Sequence, residues 1–289
     1  TVWYQTQIHP NEPASGEGAL VVVDNFINDP EAKALLDKIN LVVVPRINPD
    51  GSYLFSRATY DGFDMNRDHM SLKADELAQL HTAYRLFMAE VVIDGHEFTF
   101  YGATTDKDSG KPRMSNGDDI QTTPATSLNN DPEVTEIALE MCADTFRNLQ
   151  NAGLRVDHYG TTVNNPIGRA YFGLYDCASF LVETRGIGAG RTNFERRVFS
   201  QETAIMSYIK GAADRADELK AAVAEARAET VAKGKTYDEG DLLYLKQTKS
   251  GDTKTDYTSN TTRYYMDGTP EQENPAALSL NDTGTRTRV

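Results

Sequence analysis

Two cysteines, one tryptophan and five histidines are all that these 289 residues hold of those types. Cys142 and Cys177 lie far apart in apolar surroundings, which reads as buried free thiols and argues against a disulfide-stapled framework. No apolar run approaches the length needed to span a bilayer, so no membrane span is expected. Basic residues are also scarce: 29 Lys and Arg stand against 43 Asp and Glu, a formal net charge of −14. Phosphate binding needs a basic surface, so this balance argues against nucleic acid as a partner. No block of one charge is long enough to form an acidic tail, and the excess reads as a well-solvated surface. The sequence has neither an initiating Met nor a signal-type leader, and it opens directly in strand-like residues. A fragment of something longer is the expectation. No internal repeat is evident.

What is present is an alternation of strand and helix patterns. "ALVVVDNF" (19–26) and "INLVVVPRIN" (39–48) carry continuous Val-rich runs, the signature of strands buried on both faces. Between them "DPEAKALLDKI" reads as a short helix with Asp29 as cap and Pro30 in its first turn. A second helix is expected over 71–89, capped by Ser71, with Leu77, Leu80, Tyr84, Phe87 and Met88 on one face. "EVVIDGHEF" follows as a strand. The clearest helix is 131–152, started by Asp131 and Pro132 and ended by Gly153. "ASFLVETRG" is a further buried strand, and 200–232 reads as one long Ala- and Glu-rich helix. The class is therefore α/β. After about residue 233 the chain turns rich in Thr, Asp, Gly and Tyr with turn dipeptides, a β-rich or extended segment.

Candidate chemistry starts at "HPNE". His9 and Glu12 can reach one metal ion, or can be two solvated loop residues. A metal site needs a third ligand, and His96 is the best of the remaining histidines because it follows Gly95 at a strand end. Asp94, two residues earlier on the same face, could support it. His81 reads as a surface or packing residue, and His69 as a loop residue with no special role. Glu183 ends the apolar "SFLV" strand, where a carboxylate must be paired, metal-linked or functional; a salt bridge to Arg185 or Arg191 is the structural alternative. "NPDG" (48–51) reads as a turn. Arg57, Asn66 and Arg67 cluster in loop sequence after a strand, with the fork geometry that grips carboxylates.

Taken in order, "HPNE", "NPDG", the following Arg57, "GFDMNRD", "DGH" and "FLVETRG" resemble the zinc metallocarboxypeptidases, peptidase family M14 of the carboxypeptidase A type. The resemblance covers roughly residues 1–232. It implies a twisted mixed, mainly parallel sheet flanked by helices on both faces. It implies one zinc held by His9, Glu12 and His96, with Glu183 as general base and Arg57 beside the scissile carbonyl. Asn66 and Arg67 would bind the terminal carboxylate of a peptide or acyl-amino acid substrate. Tyr159 lies nearest in spacing to the family's mobile tyrosine, and Arg169 lies in the loop that sets specificity, where it would favour an acidic end; a surface loop Arg is the alternative. Asn11 stands where the family's animal enzymes carry an Arg. The resemblance also implies sequence before residue 1, and it alone suggests a periplasmic or secreted compartment.

The expected organisation is thus a catalytic domain over 1–232 and an extension over 233–289. The expected reaction is hydrolysis of a C-terminal amide bond. The alternatives are a zinc deacylase or amidase acting on acyl-amino acids or cell-wall peptides, and a non-catalytic binding module of the same fold.

Overall fold

The computed structural model describes residues 1–99, 103–105, 109–114, 118–160, 166–236, 238–241, 243, 246–249 and 282–285. In chain order the elements are β1 (Val2–Thr6), α1 (Pro13–Asn28), α2 (Pro30–Ala34), β2 (Leu41–Val44), α3 (Pro49–Leu54), α4 (Asp75–Phe87) and β3 (Val91–Thr99). There follow β4 (Ala103–Thr105), β5 (Pro112–Met114), β6 (Ile120–Pro124), α5 (Pro132–Asn151), β7 (Val156–His158), α6 (Gly168–Gly173) and β8 (Ala178–Ile187). Helices α7 (Phe194–Asp214) and α8 (Ala216–Lys233) and strands β9 (Lys246–Lys249) and β10 (Asp282–Thr285) complete the set.

Six strands form one sheet in the order β2-β1-β3-β8-β6-β7. β2, β1, β3 and β8 run parallel; β6 opposes β8 and carries β7 parallel to itself. Strand alternation sends successive side chains to opposite faces, and each face is apolar. Val2, Tyr4, Ile93, Phe180 and Val182 join a core with Phe146 of α5 and Tyr208 of α7. Trp3 and Val92 join a second core with Leu77 and Tyr84 of α4 and Phe172 of α6. Each such side chain contributes about 1.5–3 kcal/mol by leaving water, so the sheet is held from both sides. This is the expected mixed, mainly parallel sheet with helices on both faces. Among the described residues no helix is long and apolar enough to cross a membrane.

Several local expectations are corrected. Residues 19–26 are helical, inside α1, whose buried set of Ala14, Ser15, Gly18, Ala19, Val22 and Phe26 follows a helical period. Pro13 fits the first turn, where its missing N–H costs nothing, and packing on α7 overrides the β-propensity of the Val run. Gly18 allows that packing: a Cβ there would sit 2.8 Å from Cβ of Gln201. The "NPDG" segment is the start of α3, with the Asn48 side chain accepting from the Gly51 amide at 2.8 Å. α4 begins after Ala74 rather than at Ser71, and Phe87 is exposed. The long helix over 200–232 is two helices that meet at Arg215, the first starting at Phe194. Arg169 lies in α6 and is buried, so it is neither in a loop nor on the surface.

Other expectations hold. Asp29 accepts from the Glu31 amide, and Asp131 from that of Val134. Cys142 and Cys177 are buried and form no disulfide. Of the segment after 233, β9 and β10 form an antiparallel pair, and most of the rest lies outside the described residues.

Candidate active site

Parallel pairing assembles the site. β1, β3 and β8 are neighbours, and all deliver their carboxyl ends to one edge, where open α/β sheets hold their sites. His9 follows β1, His96 lies near the end of β3, and Glu183 stands in register with His96 on β8. α1 starts directly after Glu12, which fixes that carboxylate at the same edge.

The three expected metal ligands come together in the interior. Their donor atoms all lie within 4.8 Å of one another. Glu12 is the hub: Oε1 meets His9 Nδ1 at 2.9 Å and Oε2 meets His96 Nδ1 at 2.9 Å. The far nitrogen of each ring is held by another carboxylate, His9 Nε2 by Asp64 at 3.0 Å and His96 Nε2 by Asp94 at 3.0 Å. Asp94 is itself fixed by Gln5 at 3.1 Å. These anchors leave both Nδ1 atoms facing one point, the arrangement in which imidazoles ligate a metal. Two imidazoles and a carboxylate with an approach from solvent suit zinc in a site that keeps one position open. The residues present fit a zinc ion.

Electrostatics agree with the geometry. Burial alone would raise the pKa of Glu12, but hydrogen bonds and charge from His9 and His96 outweigh it and bring it down to about 2. Burial disfavours charge on His96, yet Asp94 and then Glu12 hold its pKa well above the ordinary value. A cluster so rich in anionic oxygen favours a cation.

Glu183 is different. It is buried, no hydrogen bond reaches its carboxylate among the described residues, and it faces the same cleft. Burial, partly offset by His96 and reinforced by Glu12, pushes its pKa up to about 7. Neither Arg185 nor Arg191 forms a salt bridge with it; Arg185 Nε donates instead to the Asp118 carbonyl at 2.9 Å.

Arg57, Asn66, Arg67 and Tyr159 line that cleft with the His9–Glu12–His96 cluster and Glu183, around a volume of about 270 Å³. Arg57 donates to Asp64 at 3.0 Å and to Glu12 at 3.3 Å. Asn66 accepts from the Gly168 amide at 2.7 Å, and its Nδ2 sits 3.3 Å from His96 Nε2. Gly168 must lack a side chain, because a Cβ would lie 2.6 Å from Asp94 Oδ2. Arg67 is exposed, with NH1 on the Asn66 carbonyl at 2.7 Å. Tyr159 has its pKa raised by the charge of Glu183 and by burial. Arg169 is not on the described wall of the cleft; it lies behind it, with its guanidinium carbon 5.8 Å from the Tyr159 ring centre.

Asp64 is a candidate functional residue that the sequence does not single out. Its only signal was its place in the "GFDMNRD" motif, where it also caps the short turn Met65–Arg67 by accepting from the Asn66 amide at 3.0 Å. Asp94 stands where the two-residue spacing from His96 put it. His69 and His81 are both buried and pair with each other, Nδ1 to Nε2, at 2.9 Å.

Residues 1–85 match the zinc carboxypeptidase family model. Carboxypeptidase 2 of Trichophyton rubrum is 33% identical over 234 residues, covering 75% of this chain and 43% of that protein. Carboxypeptidase 2 of Trichophyton tonsurans is 33% identical over 236 residues, with the same two shares, 75% and 43%. The chain thus spans less than half the length of these relatives. Among solved structures, a metallo-carboxypeptidase from Pseudomonas aeruginosa, in complex with (2-guanidinoethylmercapto)succinic acid, shares the fold with a TM-score of 0.57. The identity is 19%, over 75% of this chain and 57% of that one. A metallo-carboxypeptidase from Burkholderia cenocepacia gives 0.55 at 18% identity, over 73% and 56%. By its matched residues, its relatives and its fold, this chain is similar to the zinc carboxypeptidases.

Proposed function

We propose that residues 1–232 form the catalytic domain of a zinc-dependent carboxypeptidase that hydrolyses the C-terminal amide bond of peptides, and that 233–289 are an extension to it. The observation that carries this reading is the double anchoring of the imidazoles. Both Nδ1 atoms converge on Glu12 while Asp64 and Asp94 fix the opposite nitrogens. A structural ion-pair network has no need of that convergence beside a solvent-reached cleft.

Zinc bound by His9, Glu12 and His96 would supply a Lewis acid that polarises the scissile carbonyl and acidifies a water. Glu183 is the general base in this reading. A carboxyl whose pKa burial has brought to about 7 can take a proton from water and return it to the departing amine near neutral pH. Arg57 stands beside Glu12, where a guanidinium can stabilise the developing oxyanion; such a donor is worth about 3–4 kcal/mol. Asn66 and Arg67 hold the terminal carboxylate, so that the last amide bond is the one presented. The P. aeruginosa relative's ligand is a succinic acid derivative, which supports a ligand that carries a carboxylate. Tyr159 closes the wall over Arg169, and the buried guanidinium behind it biases the pocket toward acidic substrate ends.

The test is a pair of peptides that differ only in a free or amidated C-terminus. The free acid should release its last residue, and the amide should be slower by about tenfold to a hundredfold. Equal rates, or release of internal fragments, would contradict the reading, and turnover of acyl-amino acids alone would favour a deacylase.

A further inference from the structure

The residue after His96 carries a second buried charge that the reaction does not use. Glu97 points to the opposite face of β3 from His96, and its side chain is 0% exposed. Arg197 of α7, 5% exposed, grips it at two points, Nε to Oε1 at 2.8 Å and NH2 to Oε2 at 2.9 Å. Such a pair is a poor way to add stability, because dehydrating both charges offsets most of their attraction. Its location explains it better. The Glu97 backbone amide donates to Glu12 Oε2 at 3.0 Å, and the Glu97 carboxylate accepts from the Ala14 amide at 3.0 Å. One residue therefore holds the segment Glu12–Ala14 at both ends, and Arg197 holds that residue. Space for the pair is reserved: a Cβ on Gly186 would lie 1.8 Å from Glu97 Oε1 and 2.6 Å from Arg197 NH2.

We propose that the Glu97–Arg197 pair is the positioning device for the metal carboxylate Glu12, fixing the start of α1 against β3 so that Glu12 meets both imidazoles at once. The inference rests on the metal reading above. Glu97 and Arg197 are positioning residues: neither offers a side-chain atom to the His9–Glu12–His96 cluster, and the Glu97 backbone amide reaches only the Glu12 carboxylate.

The test measures zinc affinity of the full chain by competition with a chromophoric chelator, alongside the melting temperature of the zinc-free protein. Glu97→Gln and Arg197→Met should weaken zinc binding by about 10- to 100-fold, the usual effect of removing support behind a ligand. Arg227→Met is the control. Arg227 donates to the carbonyls of Tyr175, Met88 and Ala89, away from the cluster, so its loss should lower the melting temperature while zinc affinity stays within about twofold. Wild-type affinity in both test variants overturns the proposal. So does an equal affinity loss in Arg227→Met, since affinity would then merely follow stability. If Arg197→Met does not fold, Arg197→Lys keeps the charge but not the two-point grip, and should weaken zinc by up to about tenfold; unchanged affinity there also overturns it. His96→Ala separates the two levels. Zinc bound by the wild type and lost in His96→Ala upholds the metal reading whatever Glu97 does, and a wild type that binds no zinc ends both.

Discussion

The molecule contains two histidine pairs of nearly the same geometry and opposite character. The rings of His9 and His96 lie 5.0 Å apart, and those of His69 and His81 lie 5.1 Å apart. In the first pair every ring nitrogen meets a carboxylate oxygen at 2.9 or 3.0 Å. In the second the rings meet each other, against Tyr171 and Phe172, and burial pushes the pKa values down to about 3 for His69 and about 4 for His81. Proximity of imidazoles is therefore not what makes a cation site. In the proposed cation site Glu12, Asp64 and Asp94 supply the difference, by orienting the rings and adding negative charge.

The most severe way to break the comparison leaves both pairs intact and removes the chemistry beside the first. Glu183→Gln keeps volume and should retain zinc while kcat/KM falls by roughly a thousandfold or more; near wild-type turnover would remove Glu183 from the mechanism. Next come the anchors. Asp64→Asn and Asp94→Asn should each weaken zinc binding by about 10- to 100-fold in a chelator competition, whereas the double variant His69→Gln/His81→Gln should leave it unchanged. A zinc loss in the double variant would mean that the second pair belongs to the site. Arg169→Ala tests the charge behind the wall: kcat/KM for peptides ending in Glu or Asp should fall by about tenfold, with neutral ends unaffected. Equal losses on both would make Arg169 structural.

The last effect is a pH dependence of stability, read on the fold and not on the chemistry. The folded-state pKa values of His69 and His81 lie below the ordinary 6.5, so the unfolded chain binds protons that the folded chain refuses. Their contribution is complete above pH 6.5 and is lost as pH falls toward 4 and 3. His96 and Glu183 titrate with the opposite sign, so the clean quantity is a difference. Between pH 6.5 and 5 the wild type should lose about 2 kcal/mol per pH unit relative to the His69→Gln/His81→Gln variant in urea titrations, because each unfolded imidazole takes up a proton that the folded pair refuses. Parallel pH profiles would show that the second pair is not held neutral by burial.

How much of this was legible follows from how local each signal is. His9, Glu12, His96 and Glu183 each stand at or near a strand end within a short motif, so their residues and order carried the site. The Val21–Val23 run misled because Val favours strands, while the helix that it sits in is decided by Pro13, Gly18 and packing on α7. Arg169 was misplaced because the helix over Gly168–Gly173 is a single short stretch without a side-chain cap, and only the fold buries Arg169 beside the Tyr159 ring. His69 seemed idle, because nothing in "RDHM" announces a partner twelve residues on. Glu97 and Arg197 are 100 residues apart, and only the fold brings them behind Glu12.

The central claim is that His9, Glu12 and His96 form one cation site. Elemental analysis of the full chain after dialysis against a weak chelator tests it most directly. The wild type should keep about one zinc per chain, and His96→Ala, with its fold verified by circular dichroism, should keep almost none. Full zinc occupancy in His96→Ala, or none in the wild type, would contradict the account.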